Sequence, residues 1–340
     1  MRKIATENAV GQTLCHDITA IQEDGFKGVA FKRGHVITEE DIPCLLDIGK
    51  SHIFAWEPEE DEVHEEDAAM AITQASCGPG VEYSGPSEGK MQITAAREGL
   101  FRVNRQALQA INSVPDYTIA CRPDCTPVSP GEKLAGARIV PLVTKRKNVG
   151  QAVKIARGGF PVFEVKPWLP LKSAVIITGS EVYYGRIRDR FEPIMRKKLE
   201  TYHSPILGVS KCPDDLEMLL EAIESYMKQG AELILLTGGM SVDPDDLTPT
   251  AIRSGGAELI TQGVPMQPGN MLTLARRGPC TLIGVPGASM HHPTTSLDVF
   301  LPRIFAGMPI KKEDIAAMGE GGLCLACPQC HYPLCSFGRK

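Results

Sequence analysis

Three carboxylates crowd one short glycine loop. Residues 237–246 read TGGMSVDPDD, so Asp243, Asp245 and Asp246 follow closely on Gly238 and Gly239. Glycine lets backbone N–H groups approach an anion without a Cβ in the way. Acids in the same loop should repel that anion. A magnesium ion reconciles the two, because it keeps several waters and binds through one or two carboxylates plus phosphate. The amides then face a phosphate and the acids face the metal. Related stretches stand at 178–181 (TGSE), 268–270 (PGN) and 285–289 (VPGAS). Thr178, Ser180, Thr237 and Ser241 offer hydroxyl donors, and Glu181 a further carboxylate. Gly179, Pro268, Gly269, Asn270, Pro286 and Gly287 complete the candidate binding set. Glu181, Asp243 and Asp246 are the candidates for chemistry, and Asp243, Asp245 and Asp246 for magnesium. The plainer reading makes Asp245 or Asp246 a cap on the helix that starts at LTPTAI. That accounts for one aspartate and leaves the others unexplained.

A second constellation closes the sequence. Cys324, Cys327, Cys330 and Cys335 are spaced C-x2-C-x2-C-x4-C, with His331 among them. Four thiolates satisfy tetrahedral zinc or an iron–sulfur cluster. The spacing is not that of a zinc ribbon, whose ligand pairs lie far apart. Redox-active or partner-linked thiols and an inert tail are the other readings. The remaining seven of the eleven cysteines are scattered and read as buried apolar residues.

The glycine loops need elements to hold them. Between residues 171 and 307, apolar runs alternate with amphipathic ones. SAVIIT, PILGVS, AELILLT, MLTLA and CTLIGV read as strands. RIRDRFEPIMRKKLETY reads as a helix that Pro193 can kink. PDDLEMLLEAIESYMKQG reads as a helix with Asp214 as cap and Glu217 three residues on. DLTPTAIRSGG reads as a short helix and HHPTTSLDVFLPRIFAG as a closing one. Such alternation predicts an α/β fold, a three-layer, mainly parallel sheet covered on both faces. TGSE, TGGMSVDPDD and VPGAS all follow strand ends, where open α/β sheets bind ligands.

The rest of the chain is read more coarsely. Residues 1–56 form a small β-rich unit, with strands in 13–21, 28–31 and SHIFAW and a helix in EEDIPCLLDIG capped by Thr38. Residues 57–90 are an acidic linker or helix; eight of residues 57–67 are acidic, which reads as a solvated stretch. Residues 91–170 are a mixed α/β region, with helices in RVNRQALQAIN and NVGQAVKIARGG and strands in ARIVPLVT and FPVFEVKPW. Residues 308–340 are the cysteine-rich tail.

Composition bounds the function. At 340 residues two or three domains are expected, and an apolar content of 43% is enough to build their cores. A net charge of −5 gives no electrostatic footprint for nucleic acid. No run approaches the roughly 18–20 apolar residues that span a bilayer, so no membrane partner is expected. The start has no apolar stretch of signal-peptide type, which leads to the expectation of a cytoplasmic protein with reduced thiols. GPSEGK at 85–90 is one residue short of a phosphate-binding P-loop, and Met91 stands where Ser or Thr should be. GASMHHP at 287–293 lacks the second glycine of a nucleophile elbow, which excludes a serine hydrolase of that type. His291 and His292 read as start-of-helix residues.

With these motifs in order, residues 171–307 resemble the molybdopterin-binding domain shared by molybdenum-cofactor biosynthesis proteins. TGSEV at 178–182 resembles its first strand-end motif and LLTGGMSV at 235–242 its second, the most diagnostic. PGN at 268–270 and GVPGAS at 284–289 stand where its later motifs are expected. FKRGHVITEEDIPCLLDIG in the first segment is similar to the β-rich part of molybdopterin molybdenumtransferases. The resemblance implies a transferase that takes adenylylated molybdopterin and molybdate, cleaves the adenylate with magnesium, and leaves molybdenum on the dithiolene. It also implies a homo-oligomer, with a molybdoenzyme or another cofactor-biosynthesis protein as partner. The alternative is a pterin-binding carrier or sensor without turnover. Four departures bear on that choice. Asp243 stands where the family has glycine, Asn270 replaces the lysine of PGK, Ala288 replaces an asparagine, and no consecutive Met-Asp-Gly motif is found.

Overall fold

The computed structural model describes residues 2–21, 27–55, 59–240 and 246–339. The chain divides into two compact units. One comprises Met1–Arg97, Phe101–Arg122 and Ser129–Val165; the other comprises Glu98–Leu100, Pro123–Val128 and Lys166–Lys340.

In the first unit, Arg2–Ala5 pairs antiparallel with His52–Ala55, and Ile18–Ile21 with Lys27–Phe31. Leu14, Ile37, Leu45 and Ile53 form the small core beneath. The expected cap at Thr38 works the other way round. Its N–H and hydroxyl both donate to the Asp41 carboxylate, each at 2.8 Å, and the helix is Asp41–Asp47. A four-stranded antiparallel sheet follows, in the order Val81–Ser87, Lys90–Ala95, Lys133–Ile139, Tyr117–Cys121. GPSEGK is the bend of its first hairpin, where Ser87 pairs with Lys90. The acidic stretch does more than meet solvent. Glu62–His64 is a strand paired with Val143–Lys145, and Glu65 is buried beside Arg138 at 3.4 Å. The run ARIVPLVT is split at Pro141 into Lys133–Ile139 and Val143–Lys145, since proline cannot donate to a ladder.

The second unit is built on one six-stranded sheet. Its strands in chain order are β1 (Ser173–Thr178), β2 (Ile206–Cys212), β3 (Leu233–Thr237), β4 (Glu258–Gln262), β5 (Thr273–Arg277) and β6 (Cys280–Val285). The spatial order is β2-β1-β3-β6-β5-β4. The first four in that order are parallel; β5 runs antiparallel to β6, and β4 antiparallel to β5. The helices are α1 (Ser180–Tyr183), α2 (Phe191–Glu200), α3 (Leu216–Lys228), α4 (Thr248–Ser254) and α5 (Ser296–Phe305).

Alternation along the buried strands sends side chains to two cores. Val175, Ile177, Leu233, Leu235, Ile283 and Val285 pack with Met195 and Leu199 of α2 and with Leu297 and Phe300 of α5. Ala174, Ile176, Ile234, Leu236 and Leu282 pack with Leu219 and Ile223 of α3 and with Ile252 of α4. Helices therefore cover both faces of a mainly parallel sheet, the three-layer α/β arrangement expected from the apolar runs.

Four local expectations change. Arg186 to Arg190 do not extend the helix, which starts at Phe191. Pro193 falls in the first turn, where its missing N–H has no consequence, and the Asp189 carboxylate takes the N–H groups of Phe191 and Glu192 at 2.8 and 3.2 Å. The cap of α3 is Asp215, whose carboxylate accepts from Met218 at 2.9 Å, rather than Asp214. Strand β4 is not among the strands expected from the apolar runs. His291 and His292 precede α5 rather than start it; the helix opens at Ser296 on a capping box of Thr295 and Asp298.

Candidate functional site

The parallel register sets the strand ends side by side. Ile177 pairs with Thr237 and Thr237 with Val285, so the chain leaves β1, β3 and β6 at neighbouring points. The loops that follow enclose a cleft of about 530 Å³, within the range of small-molecule sites. Thr178, Gly179, Glu181, Gly238, Gly239, Asp246, Gly269, Asn270, Pro286 and Gly287 all line it. Ten of the residues singled out from four separate motifs thus meet in one place.

Two glycines make that approach sterically feasible. Gly238 has φ +84°, and a Cβ there would stand 2.2 Å from the carbonyl oxygen of Thr178. Gly269 has φ +106°, and its Cβ would meet the Ser296 hydroxyl at 2.5 Å. That hydroxyl donates to the Gly269 carbonyl at 2.6 Å, and the Ser296 N–H donates to the Pro268 carbonyl at 3.1 Å. The start of α5 therefore fixes the PGN loop.

Not every predicted side chain reaches the cleft. Thr237, the last residue of β3, lies level with Ile177 and points to the same core face. Its hydroxyl oxygen is buried and has no hydrogen-bond partner among the described residues. Thr237 is not among the residues that line the cleft. Ser180 spends its polar groups on Asp214. Its N–H donates to the carboxylate at 2.8 Å, and its hydroxyl accepts the Asp214 N–H at 3.2 Å. Pro268 supports the loop from behind. Thr178 is 5% exposed at the cleft wall, with its hydroxyl 3.4 Å from that of Thr248. Ser241, Asp243 and Asp245 lie outside the described residues. Helix α4 has Leu247 at its N-cap position and no side-chain cap there.

The structure adds residues that pattern reading missed. Arg188 and Arg190 line the cleft, both exposed, as does Asp214. The Glu181 carbonyl accepts the N–H groups of Arg186 and Ile187 at 2.8 and 3.2 Å, which turns the basic segment back over the cleft. The signal was present as three arginines within five residues just before Pro193. Met240, Met271, Met290, Val182 and Phe191 give the cleft an apolar part. Guanidinium groups, loop amides and carboxylates beside that apolar surface suit an anion joined to a flat ring.

Among the described residues, no three His, Cys, Asp or Glu side chains are placed around one metal position. A magnesium ion in the cleft would therefore rest on one or two carboxylates, from Glu181 and Asp246, and on ligand phosphate. That agrees with its ordinary coordination. No helix among the described residues is long and apolar enough to cross a membrane.

Comparison with known proteins locates the resemblance. Residues 3–57 match a domain of unknown function, and residues 174–306 match the family described as a probable molybdopterin binding domain. The molybdopterin molybdenumtransferase of Synechococcus elongatus is 26% identical over 143 residues, 40% of this chain and 36% of that protein. A CinA-like protein of Thermosipho melanesiensis is 38% identical over 90 residues, 26% of this chain and 22% of that protein. The chain thus spans about a third or less of the length of these curated relatives. The crystal structure of the molybdopterin biosynthesis enzyme MoaB from Thermus thermophilus is 18% identical, with a TM-score of 0.32 over 42% of this chain and 99% of its own. The three strand-end motifs, the PGN loop and the three-layer sheet that presents them all fall within the segment, residues 174–306, that matches the molybdopterin-binding domain family.

Proposed function

We propose that the cleft binds molybdopterin, or its adenylylated form, and that the protein acts in molybdenum cofactor biosynthesis as a transferase of the molybdopterin molybdenumtransferase type. One observation carries the reading. The loops at 178–181, 238–239, 268–270 and 286–287 converge on a single cleft that also receives Arg188 and Arg190. These arginines supply cationic charge at a site where Asn270 replaces the family's lysine.

The roles follow from the chemistry of each group. The amides around Gly238, Gly239 and Gly269 and the two guanidinium groups hold the phosphate or pyrophosphate. The methionine-rich part receives the ring. Glu181 and Asp246, with Asp243 from beyond the described residues, hold magnesium or orient molybdate and water. Magnesium, when bound, neutralises charge at the phosphoanhydride. Attack of water on that anhydride releases adenylate, and fixed donors aimed at the departing oxygen lower the barrier. The molybdenum donor is molybdate; as the two dithiolene sulfurs bind the metal, displaced oxygen leaves as water with the thiol protons, and the product is the metallated dithiolene.

A second reading, a pterin-binding carrier or sensor without turnover, is favoured by Asn270 and by the lack of a Met-Asp-Gly sequence. The two separate on one assay. The purified protein is given adenylylated molybdopterin, magnesium and molybdate. The transferase reading expects adenylate release above background. Ligand binding without release would overturn turnover and leave the binding site in place.

A further inference from the structure

The tail of the second unit carries a separate site. The geometry points to a four-iron iron–sulfur cluster held by Cys324, Cys327, Cys330 and Cys335. The assignment is independent of what the strand-end cleft binds.

The spacing separates a cluster from a single ion. Structural zinc sites draw on ligand pairs set apart by a longer loop. Three cysteines at successive x2 steps open cluster-binding runs, and here Cys335 follows Cys330 after four residues as the fourth thiol. All four cysteines line one cavity of about 190 Å³, so the four thiols share one space. Tetrahedral zinc with arms of about 2.3 Å holds its thiolates about 3.8 Å apart. A cubane binds each thiolate to a different iron and keeps them further apart around a shared volume.

The surroundings fit such a group. Leu323, Leu325, Ala326, Tyr332 and Phe337 give the cavity largely apolar walls, and the shell around a cluster is one control on its potential. The Thr294 hydroxyl lies 3.3 Å from the Cys330 sulfur, and hydrogen bonds to sulfur are a further control on potential. Ala326, between the first two cysteines, has φ +50°. A residue with a Cβ adopts that conformation where its surroundings demand it, as a loop wrapped about a cluster does.

The frame is fixed rather than trailing. Phe337 is buried in the core of the unit, and the Tyr332 hydroxyl donates to the Asp298 carbonyl at 2.8 Å. Gln267 donates to the Gly322 carbonyl and accepts from the Cys324 N–H, both at 2.8 Å. Gln267 directly precedes Pro268-Gly269-Asn270, so the first cysteine is bonded to the root of a loop that lines the cleft. Assembly of the resting cluster takes up two ferrous irons, two ferric irons and four sulfides, and the four thiols lose their protons as they bind iron.

The test uses the full chain, purified without oxygen and reconstituted with equal ferric and ferrous iron and with sulfide. Iron and acid-labile sulfide are counted, and the paramagnetic signal is recorded after reduction. The expected result is about four irons and four sulfides per chain. Cys327→Ser and Cys330→Ser, at exposed positions, should lose the cluster severalfold while circular dichroism stays unchanged. Cys44→Ser, at an exposed cysteine of the other unit, should retain it. One zinc per chain without sulfide, a two-iron stoichiometry, or wild-type protein that keeps no iron would each overturn the assignment. So would equal iron in wild type and a folded Cys327→Ser/Cys330→Ser double variant.

Discussion

Ser180 and Asp214 hold each other by two reciprocal hydrogen bonds, amide to carboxylate at 2.8 Å and amide to hydroxyl at 3.2 Å. The pair ties the loop after β1 to the loop after β2. Asp214→Ala leaves the Ser180 N–H without its acceptor. A lost charge-assisted bond costs about 1.5–3 kcal/mol. Part of this should appear as a roughly tenfold weaker pterin affinity with the fold retained. Titration calorimetry and thermal unfolding, run on the same sample, divide the two effects.

Backbone geometry at Gly238 gives a sharper contrast. An alanine there must accept a left-handed φ and a Cβ 2.2 Å from the Thr178 carbonyl oxygen. The left-handed conformation alone costs about 1–2 kcal/mol, and the overlap forces the loop to move. At Gly287, where a Cβ would meet open space, alanine should change stability by less than about 0.5 kcal/mol. Gly238→Ala should therefore lower the unfolding midpoint and abolish pterin binding, whereas Gly287→Ala leaves the midpoint in place.

Arg188 and Arg190 stand exposed over the cleft. If they bind phosphate, each alanine variant weakens the pterin complex by about tenfold, in keeping with a bond to a charged group. Exposed charges are screened over about 10 Å at 0.1 M salt. Wild-type affinity should therefore fall on raising salt, and that of the double variant should fall less. Parallel salt titrations check the difference.

Asp243 lies outside the described residues, so its prediction rests on sequence. Pro244 disfavours helical geometry at the preceding residue, and in the sequence Asp243 follows Gly239 by four residues. Asp243→Asn should weaken pterin binding in magnesium and spare or strengthen it in chelator. Equal affinities of both proteins under both conditions would show that its carboxylate does not face the ligand.

The parts of the fold that can be read from the residues alone are those buried on both faces. Runs such as AELILLT have one structural solution in a chain of this composition, and the loops after them fall at strand ends of necessity. Strand Val81–Ser87 goes unmarked because all but its first residue is exposed, so no apolar alternation signals it. The basic segment at 186–190 reads as helix because arginine is a good helix former. What ends that reading is Pro193 together with Asp189, a cap visible only once the helix start is known. Thr237 looks like a ligand donor from its place in the motif. Only the register with Ile177 shows that it points into the core. The partnership of Ser180 with Asp214 spans 34 residues, beyond what local pattern discloses.

The central claim is that the cleft of the second unit takes molybdopterin. It is tested most directly by calorimetric titration of the full chain with molybdopterin and with its adenylylated form, in magnesium. The account predicts saturable binding of at least one of them well below 1 mM, which means a binding free energy more favourable than about −4 kcal/mol, lost in Gly238→Ala and weakened in the Arg188→Ala/Arg190→Ala variant. Absence of binding by either form below about 1 mM, with the chain folded, would contradict it.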